Sequence, residues 1–339
     1  MAHPYKELTD VTGAAARFFA ARMRGSWGPG YLASRGFGEQ DWRRWGIGYA
    51  PATWTALTSH LRARGFNDGA IHEAGLAKVT AHGTLVDTFR DRIMFPVRTL
   101  DGAVAGFIGR APPTPAPGNT PVYLNTATTP LYRKGSVLFG LFEASRFEAS
   151  RAKASRAKAS HSRLVITEGP LDAMAITAAG TAAVAPCGTA LTVAQVGILS
   201  RVASTVVVAF DADRAGRKAA VRAYHLLRDA TKDLSTVPFP PGQDPAGFLH
   251  DYGAPALARL LAGQAHPLAD LVIDECLAAF APWLQFADGT FAALQDVAPR
   301  IAGLPSGQVA RQVARTADWL DLTYAEVTAA VTAALADLI

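Results

Sequence analysis

The sequence predicts an α/β protein with a parallel sheet in its second half, a basic segment before it and a short helical segment after it. Three observations carry the prediction. Between residues 163 and 238, short β-branched runs alternate with longer amphipathic ones, the pattern of strands joined by helical crossovers. Charge is segregated, with a net +7 over residues 1–141, +4 over 142–163 and −6 over 164–339, in a chain of net +5. Between these regions lies a five-residue repeat, FEASR, FEASR, AKASR, AKASH, that fits neither.

At 339 residues and 50% hydrophobic, the chain can bury a sizeable core and divide into several units. The boundaries read as a basic part over 1–141, the repeat as a linker over 142–163, the sheet over 164–262 and the Ala- and Leu-rich helical remainder over 263–339. A period of five drifts around a helix of 3.6 residues per turn and paints no continuous apolar face, so the repeat reads as a solvated spacer. No charged leader with an apolar run opens the sequence and no run suffices to span a bilayer, which leads to the expectation of a cytoplasmic, nucleoid-associated protein with no membrane partner. Cys187 and Cys276 are the only cysteines. Both read as small apolar residues, and with the histidines scattered no zinc site is expected.

The elements of the second half come in regular order. Strands are expected at 163–167, 181–185, 204–210 and 234–238, with helices at 172–179, 192–199 and 214–230. Ligands of such sheets gather at the carboxyl ends of the strands. There the first strand leads to Glu168 and Asp172, the third to Asp211 and Asp213, and the fourth to Asp244. Each acid has a plain structural alternative. Asp213 before ArgAlaGly and Asp244 before Pro245 fit helix N-caps, and Asp172 suits a first helical turn. Their coincidence on one rim is harder to explain without cations, because clustered carboxylates repel one another. Two hard divalent ions sharing carboxylates are the arrangement that phosphoryl chemistry uses.

In the basic part, Arg90, Arg92, Arg110, Arg133 and Lys134 supply donors suited to phosphate, and Tyr123 and Asn125 can stack on or hydrogen-bond a nucleotide. Trp42 and Trp45, at helical spacing, read as core. No GxxxxGK motif followed by Ser or Thr is present, so a P-loop motor is not indicated.

TEGPLDAMAI (167–176) with AFDADRAG (209–216) resembles the Toprim domain. Upstream, YLASRGFGEQDWRRWGIGYAP (31–51), FRDRIMFPVRTLDGAVAGFIGR (89–110) and VYLNTATTPLYRKGSVLFGLFEA (122–144) resemble, in order, the DnaG-type primase catalytic core. HisProLeuAlaAspLeu (266–271) and the helical residues after it are similar to its closing helical subdomain. The resemblance implies a mixed α+β basic subdomain, a Toprim sheet and a small helical subdomain, without a zinc-ribbon or helicase-binding domain.

For function, the resemblance implies primer synthesis from NTPs on single-stranded DNA. Mg²⁺ or Mn²⁺ would be held by Glu168, Asp172, Asp211, Asp213 and Asp244, with Glu168, Asp211 and Asp213 catalytic. Arg92, Arg110, Tyr123, Asn125 and Lys134 fall on the family's template and nucleotide positions. Implied partners are a replicative helicase or another replication or mobile-element protein, in a chromosomal, plasmid or phage setting. A non-catalytic single-strand-binding accessory and a Toprim nuclease share the same residues and stay open. The chain departs from the family at Val122, where lysine is common, and at Ala246, where a second aspartate is usual. The latter leads to the expectation of a high Mg²⁺ requirement that Ala246→Asp would lower.

Overall fold

The computed structural model describes residues 3–114, 121–155, 163–188 and 190–337. The last copy of the repeat, AKASH at 157–161, lies outside the described residues together with the residue on either side of it. The chain opens with helices α1 (Tyr5–Arg22), α2 (Gly28–Ala33) and α3 (Glu39–Trp45), strand β1 (Gly48–Ala50), and helices α4 (Ala56–Ala63) and α5 (Asp68–Glu73). A small hairpin, β2 (Ala77–Val79) and β3 (Leu85–Asp87), leads into β4 (Arg92–Arg98), β5 (Val104–Arg110) and β6 (Tyr123–Asn125). Strands β1, β4, β5 and β6 form an antiparallel sheet in the order β1-β4-β5-β6. Its fully buried run IleMetPheProVal belongs to the same apolar core as Phe18 and Phe19 of α1 and Phe107 of β5. Trp42 and Trp45 are core residues, and Trp45 stacks on Phe139 with centroids 5.1 Å apart.

Register in this sheet groups three polar side chains at its edge. Arg110 lies opposite Tyr123, and Ile108 opposite Asn125. Because strand side chains alternate, Tyr123 and Asn125 share one face and carry Arg110 with them.

After β7 (Leu138–Phe139) comes α6 (Leu141–Ser155), which takes up the first copies of the repeat. The second sheet then alternates as expected: β8 (Arg163–Ile166), α7 (Pro170–Ala178), β9 (Ala183–Pro186), α8 (Val193–Val202), β10 (Thr205–Val208), α9 (Arg214–Leu227) and β11 (Asp233–Thr236). The long helix α10 (Pro245–Gly263) returns to a short strand, β12 (His266–Pro267). The order is β12-β11-β10-β8-β9-β7, parallel through the four central strands and antiparallel at both edges. Strand β10 is shorter than the hydrophobic run suggests. It ends at Val208, so Asp211 lies three residues into the loop.

Helix α7 is buried along its length because it is sandwiched between the sheet and α10. One apolar core runs from α1 and the antiparallel sheet through Leu171 and Met174 of α7 to Phe248 and Leu249 of α10. A second core fills the other face of the parallel sheet, between Val206, Val208, Leu199 and Leu227. The chain closes with α11 (Leu268–Phe280), α12 (Ala287–Ala302), α13 (Ser306–Leu320) and α14 (Tyr324–Ala336) around a third core that includes Ile273, Val297, Ile301 and Val327. This helical part is entered through β12, itself a member of the sheet, and Leu268 packs into the second core. Among the described residues, no helix is long and apolar enough to cross a membrane.

Candidate active site

The carboxyl ends of the parallel strands face the edge of the antiparallel sheet across a cleft of about 420 Å³. Glu168, Asp172, Asp211 and Asp244 line one wall, and Arg110, Tyr123 and Asn125 the other. The fold therefore brings together seven of the twelve residues singled out from the sequence. Asp213, Arg90, Arg92, Arg133 and Lys134 lie outside this lining.

Each acid is held by local structure. The Asp211 amide donates to Glu168 Oε1 at 3.2 Å, tying the loop after β10 to the end of β8. Gly216, in the first turn of α9, makes that approach possible, since a Cβ there would meet the Asp211 carbonyl at 2.1 Å and Glu168 Oε1 at 2.8 Å. Asp213 caps α9 by accepting from the Gly216 amide at 2.7 Å. Asp244 caps α10 by accepting from the Gly247 amide, with Pro245 in the first helical position. Asp172 is buried. It accepts from the Gly169 amide at 3.2 Å and from the Ala246 amide at 3.3 Å. Ala246 is fully buried in the first turn of α10.

Burial and like charge raise the proton affinity of Asp172, Asp211 and Glu168. Burial, then Asp244 and Asp211, push the Asp172 carboxyl up to about 8. Burial, then Glu168, Asp244 and Asp213, push Asp211 up to about 7. Glu168 is shifted upward too, mainly by burial. The Oδ1 atom of Asp211 is buried without a hydrogen-bond partner. A cation would relieve both conditions. Among the described residues, no group of three or more His, Cys, Asp or Glu is arranged to hold a metal ion.

On the opposite wall the Arg110 guanidinium lies 4.0 Å from the Tyr31 ring centroid and 5.8 Å from that of Tyr123. Its Nε is buried without a partner. Asn125 accepts from the Tyr132 hydroxyl at 3.1 Å. Arg92 is buried at 4% exposure, and its guanidinium donates to the carbonyls of Gly109, Pro121 and Val122. Its charge therefore braces β5 and the entry to β6 from beneath. Arg90 lies over the Trp54 ring at 4.2 Å.

Sequence reasoning missed Tyr31 and Arg35. Both line the cleft, and Arg35 Nη2 donates to the two carboxylate oxygens of Asp244 at 3.1 and 2.8 Å. An arginine in a GlyPhe-flanked loop carries no local sign of a partner 209 residues away.

Comparison with known proteins agrees with this architecture. Residues 18–145 match the model of the DNA primase catalytic core, N-terminal domain, and residues 165–249 match a Toprim-like model. The DNA primase of Streptomyces coelicolor is 33% identical over 317 residues, 91% of this chain and 47% of that protein. That of Clostridium acetobutylicum is 34% identical over 259 residues, 76% of this chain and 41% of the relative. The chain thus spans less than half the length of either. The crystal structure of the RNA polymerase domain of Mycobacterium tuberculosis primase DnaG, in complex with double-stranded DNA, superposes with a TM-score of 0.78 at 31% identity. That match covers 94% of this chain and 99% of that domain. A DnaG primase catalytic domain bound to ssDNA gives a TM-score of 0.72 at 26% identity, covering 95% and 98%. With two matched family models in order and near-complete coverage of a primase polymerase domain at 31% identity, the chain belongs to the DnaG-type primase catalytic-core family.

Proposed function

We propose that this protein synthesises RNA primers from NTPs on a single-stranded DNA template. The observation that carries the reading is the cleft itself, where four carboxylates from the loops and helix starts that follow the parallel strands face Arg110, Tyr123 and Asn125 across a nucleotide-sized gap. In the reaction, the 3′-hydroxyl of one nucleotide attacks the α-phosphate of the next and pyrophosphate leaves.

The donor set suits a hard divalent ion, since it is made of carboxylate oxygens alone and includes the orphaned Asp211 Oδ1. Mg²⁺ or Mn²⁺ would be held by Glu168, Asp211 and Asp213, with Asp172 and Asp244 behind them, and would supply positive charge to the attacking and leaving oxygens. Asp213 caps α9 through Oδ1 alone, which leaves Oδ2 to a cation, whereas Asp244 would have to release Arg35. Glu168, with its raised proton affinity, is suited to accept the proton of the attacking hydroxyl. Arg110 and Asn125 orient phosphate and sugar, and Tyr123 offers a ring face to a base. Arg90, Arg133 and Lys134, outside the cleft lining, would serve as further phosphate contacts for the template, whereas Arg92 acts by bracing the sheet. A replicative helicase or other replication protein, chromosomal or from a mobile element, is the expected partner in the cell.

The test is incubation with NTPs, Mg²⁺ and a single-stranded DNA template, with RNA products resolved on a gel. Template-dependent RNA that disappears in Asp211→Asn supports the reading. Binding without synthesis would assign a non-catalytic accessory, and metal-dependent cleavage of the template a nuclease.

A further inference from the structure

Helices α3 and α6 form a surface to which the proposed reaction gives no role. Strand β7 runs antiparallel to β9, with Leu138 opposite Pro186 and Phe139 opposite Ala185, so it delivers α6 to the amino ends of the parallel strands. Arg98 fixes the helix there. Its Nη1 donates to the Trp45 carbonyl at 3.0 Å and to Glu143 Oε1, which joins the end of α3 to the first turn of α6. Beside this junction lies a groove of about 730 Å³ lined by four arginines and one glutamate. Arg98 neutralises Glu143 in a largely buried pair, their side chains 17% and 10% exposed, which leaves three arginines in excess. Arg44 and Arg146 are exposed and form no ion pair among the described residues, and Arg151 reaches only Glu148, at 3.8 Å. The half-buried rings of Phe142 and Phe147 border the same groove, with the Arg146 guanidinium 5.7 Å from the Phe142 centroid. Guanidiniums converging beside ring faces suit a single strand of nucleic acid, phosphates on the charges and bases on the rings. The groove shares no lining residue with the catalytic cleft. Strands of four residues, about 13 Å long at ~3.3 Å per residue, separate the two. That exceeds the ~8 Å over which exposed charges are felt at physiological salt.

We propose that the groove between α3 and α6 is a second binding surface for single-stranded DNA, which holds a stretch of strand away from the catalytic cleft through Arg44, Arg146 and Arg151. This goes beyond the primer-synthesis reading and does not depend on catalysis. A strand long enough to occupy both surfaces is held at two points, so release from one leaves it within reach for rebinding. The competing account is that these arginines are merely solvated and keep the helix soluble. It predicts strand affinity and salt dependence that their neutralisation leaves unchanged.

The experiment measures anisotropy of labelled single strands of about 10 and about 50 nucleotides, near and well above the footprint of one surface. Thermal melts and primer synthesis on the short strand run alongside. The variant combines Arg44→Gln, Arg146→Gln and Arg151→Gln. Affinity for the long strand is expected to fall on the order of tenfold at low salt, and its salt slope to drop by about two, as three phosphate contacts are lost. Affinity for the short strand, which the cleft alone accommodates, should match wild type, as should melting temperature and primer yield. Wild-type affinity and slope on the long strand overturn the proposal and leave primer synthesis standing. An equal fall on the short strand also overturns it, by placing the three arginines within the footprint of the cleft. An equal fall on a duplex of the longer length overturns the single-strand assignment. Absence of primer synthesis in the wild-type protein overturns that reading alone. Should the triple variant melt lower, Arg44→Gln carries the comparison, with a slope change of about 0.7 expected and an unchanged slope overturning the proposal.

Discussion

Asp211 and Asp172 hold protons that the unfolded chain would release near pH 4, roughly the ordinary aspartate value. Between that value and the native ones, about 7 and about 8, the folded state binds more protons than the unfolded state. Stability without metal therefore falls as pH rises through this window, and the penalty is complete above pH ~8. In EDTA the melting temperature should drop from about pH 5 to about pH 8.5, Asp211→Asn should flatten that slope, and Mg²⁺ should raise the melting temperature more at the alkaline end than at the acid end. An identical slope in Asp211→Asn would show that the penalty lies elsewhere. Ala246 bears on the Mg²⁺ expectation drawn from the family pattern. Its side chain is fully buried, and its amide bonds Asp172, so an added aspartate would place a second carboxylate against a buried one. Ala246→Asp is expected to destabilise the protein by ~3 kcal/mol or more, as other buried unpaired charges do. It should not ease the Mg²⁺ requirement, which a chemical melt beside a Mg²⁺ titration would check. The sequence displayed the acids because they sit in the short turns and first helical residues that follow legible strands. It could not display Arg35 or the bracing role of Arg92, because both depend on partners distant along the chain.

At the scale of elements, the central strands and their crossovers were legible because β-branched runs such as Thr205–Val208 are buried on both faces and bounded by polar turns. The edge strands β7 and β12 were not. Each is two residues long, below any periodic signal, and each exists only because a neighbouring strand offers it a ladder. The repeat shows a related limit. Its first copy is anchored, with Phe142 against Gly102 and Glu143 paired with Arg98, although a five-residue period predicts no packed face. The tertiary partners select which copy packs. Helix α6 also leaves the sheet at the amino ends of the parallel strands, since a Cβ on Gly140 would lie 2.8 Å from the carbonyl of Ala183, the first residue of β9. The cleft is at the opposite ends. Deleting one AKASR unit, residues 152–156, should accordingly leave melting temperature and primer yield within error of wild type, whereas deleting FEASR at 142–146 should lower the melting temperature.

Over the whole molecule, the positive first part and negative second part meet at the cleft, so in the proposed reaction backbone and cation contacts would come from opposite walls. Single-strand affinity should fall steeply with salt as counterions are released, and Arg110→Glu should weaken it and lower the salt slope by about one. Arg92→Glu should instead lower the melting temperature, because its charge is buried among carbonyls. Anisotropy titrations at several salt concentrations, paired with melts, separate the two. The apolar core that joins Phe95 and Phe107 to Met174 and Phe248 has a kinetic meaning as well. Walls that share one interior are set against each other as the chain folds. In the proposed reaction, the entropy of aligning template groups with the acid rim would then be lost largely during folding. An enzyme built this way gains little selectivity from closing on the right substrate. Its discrimination has to come from side chains that trade partners inside a fixed frame.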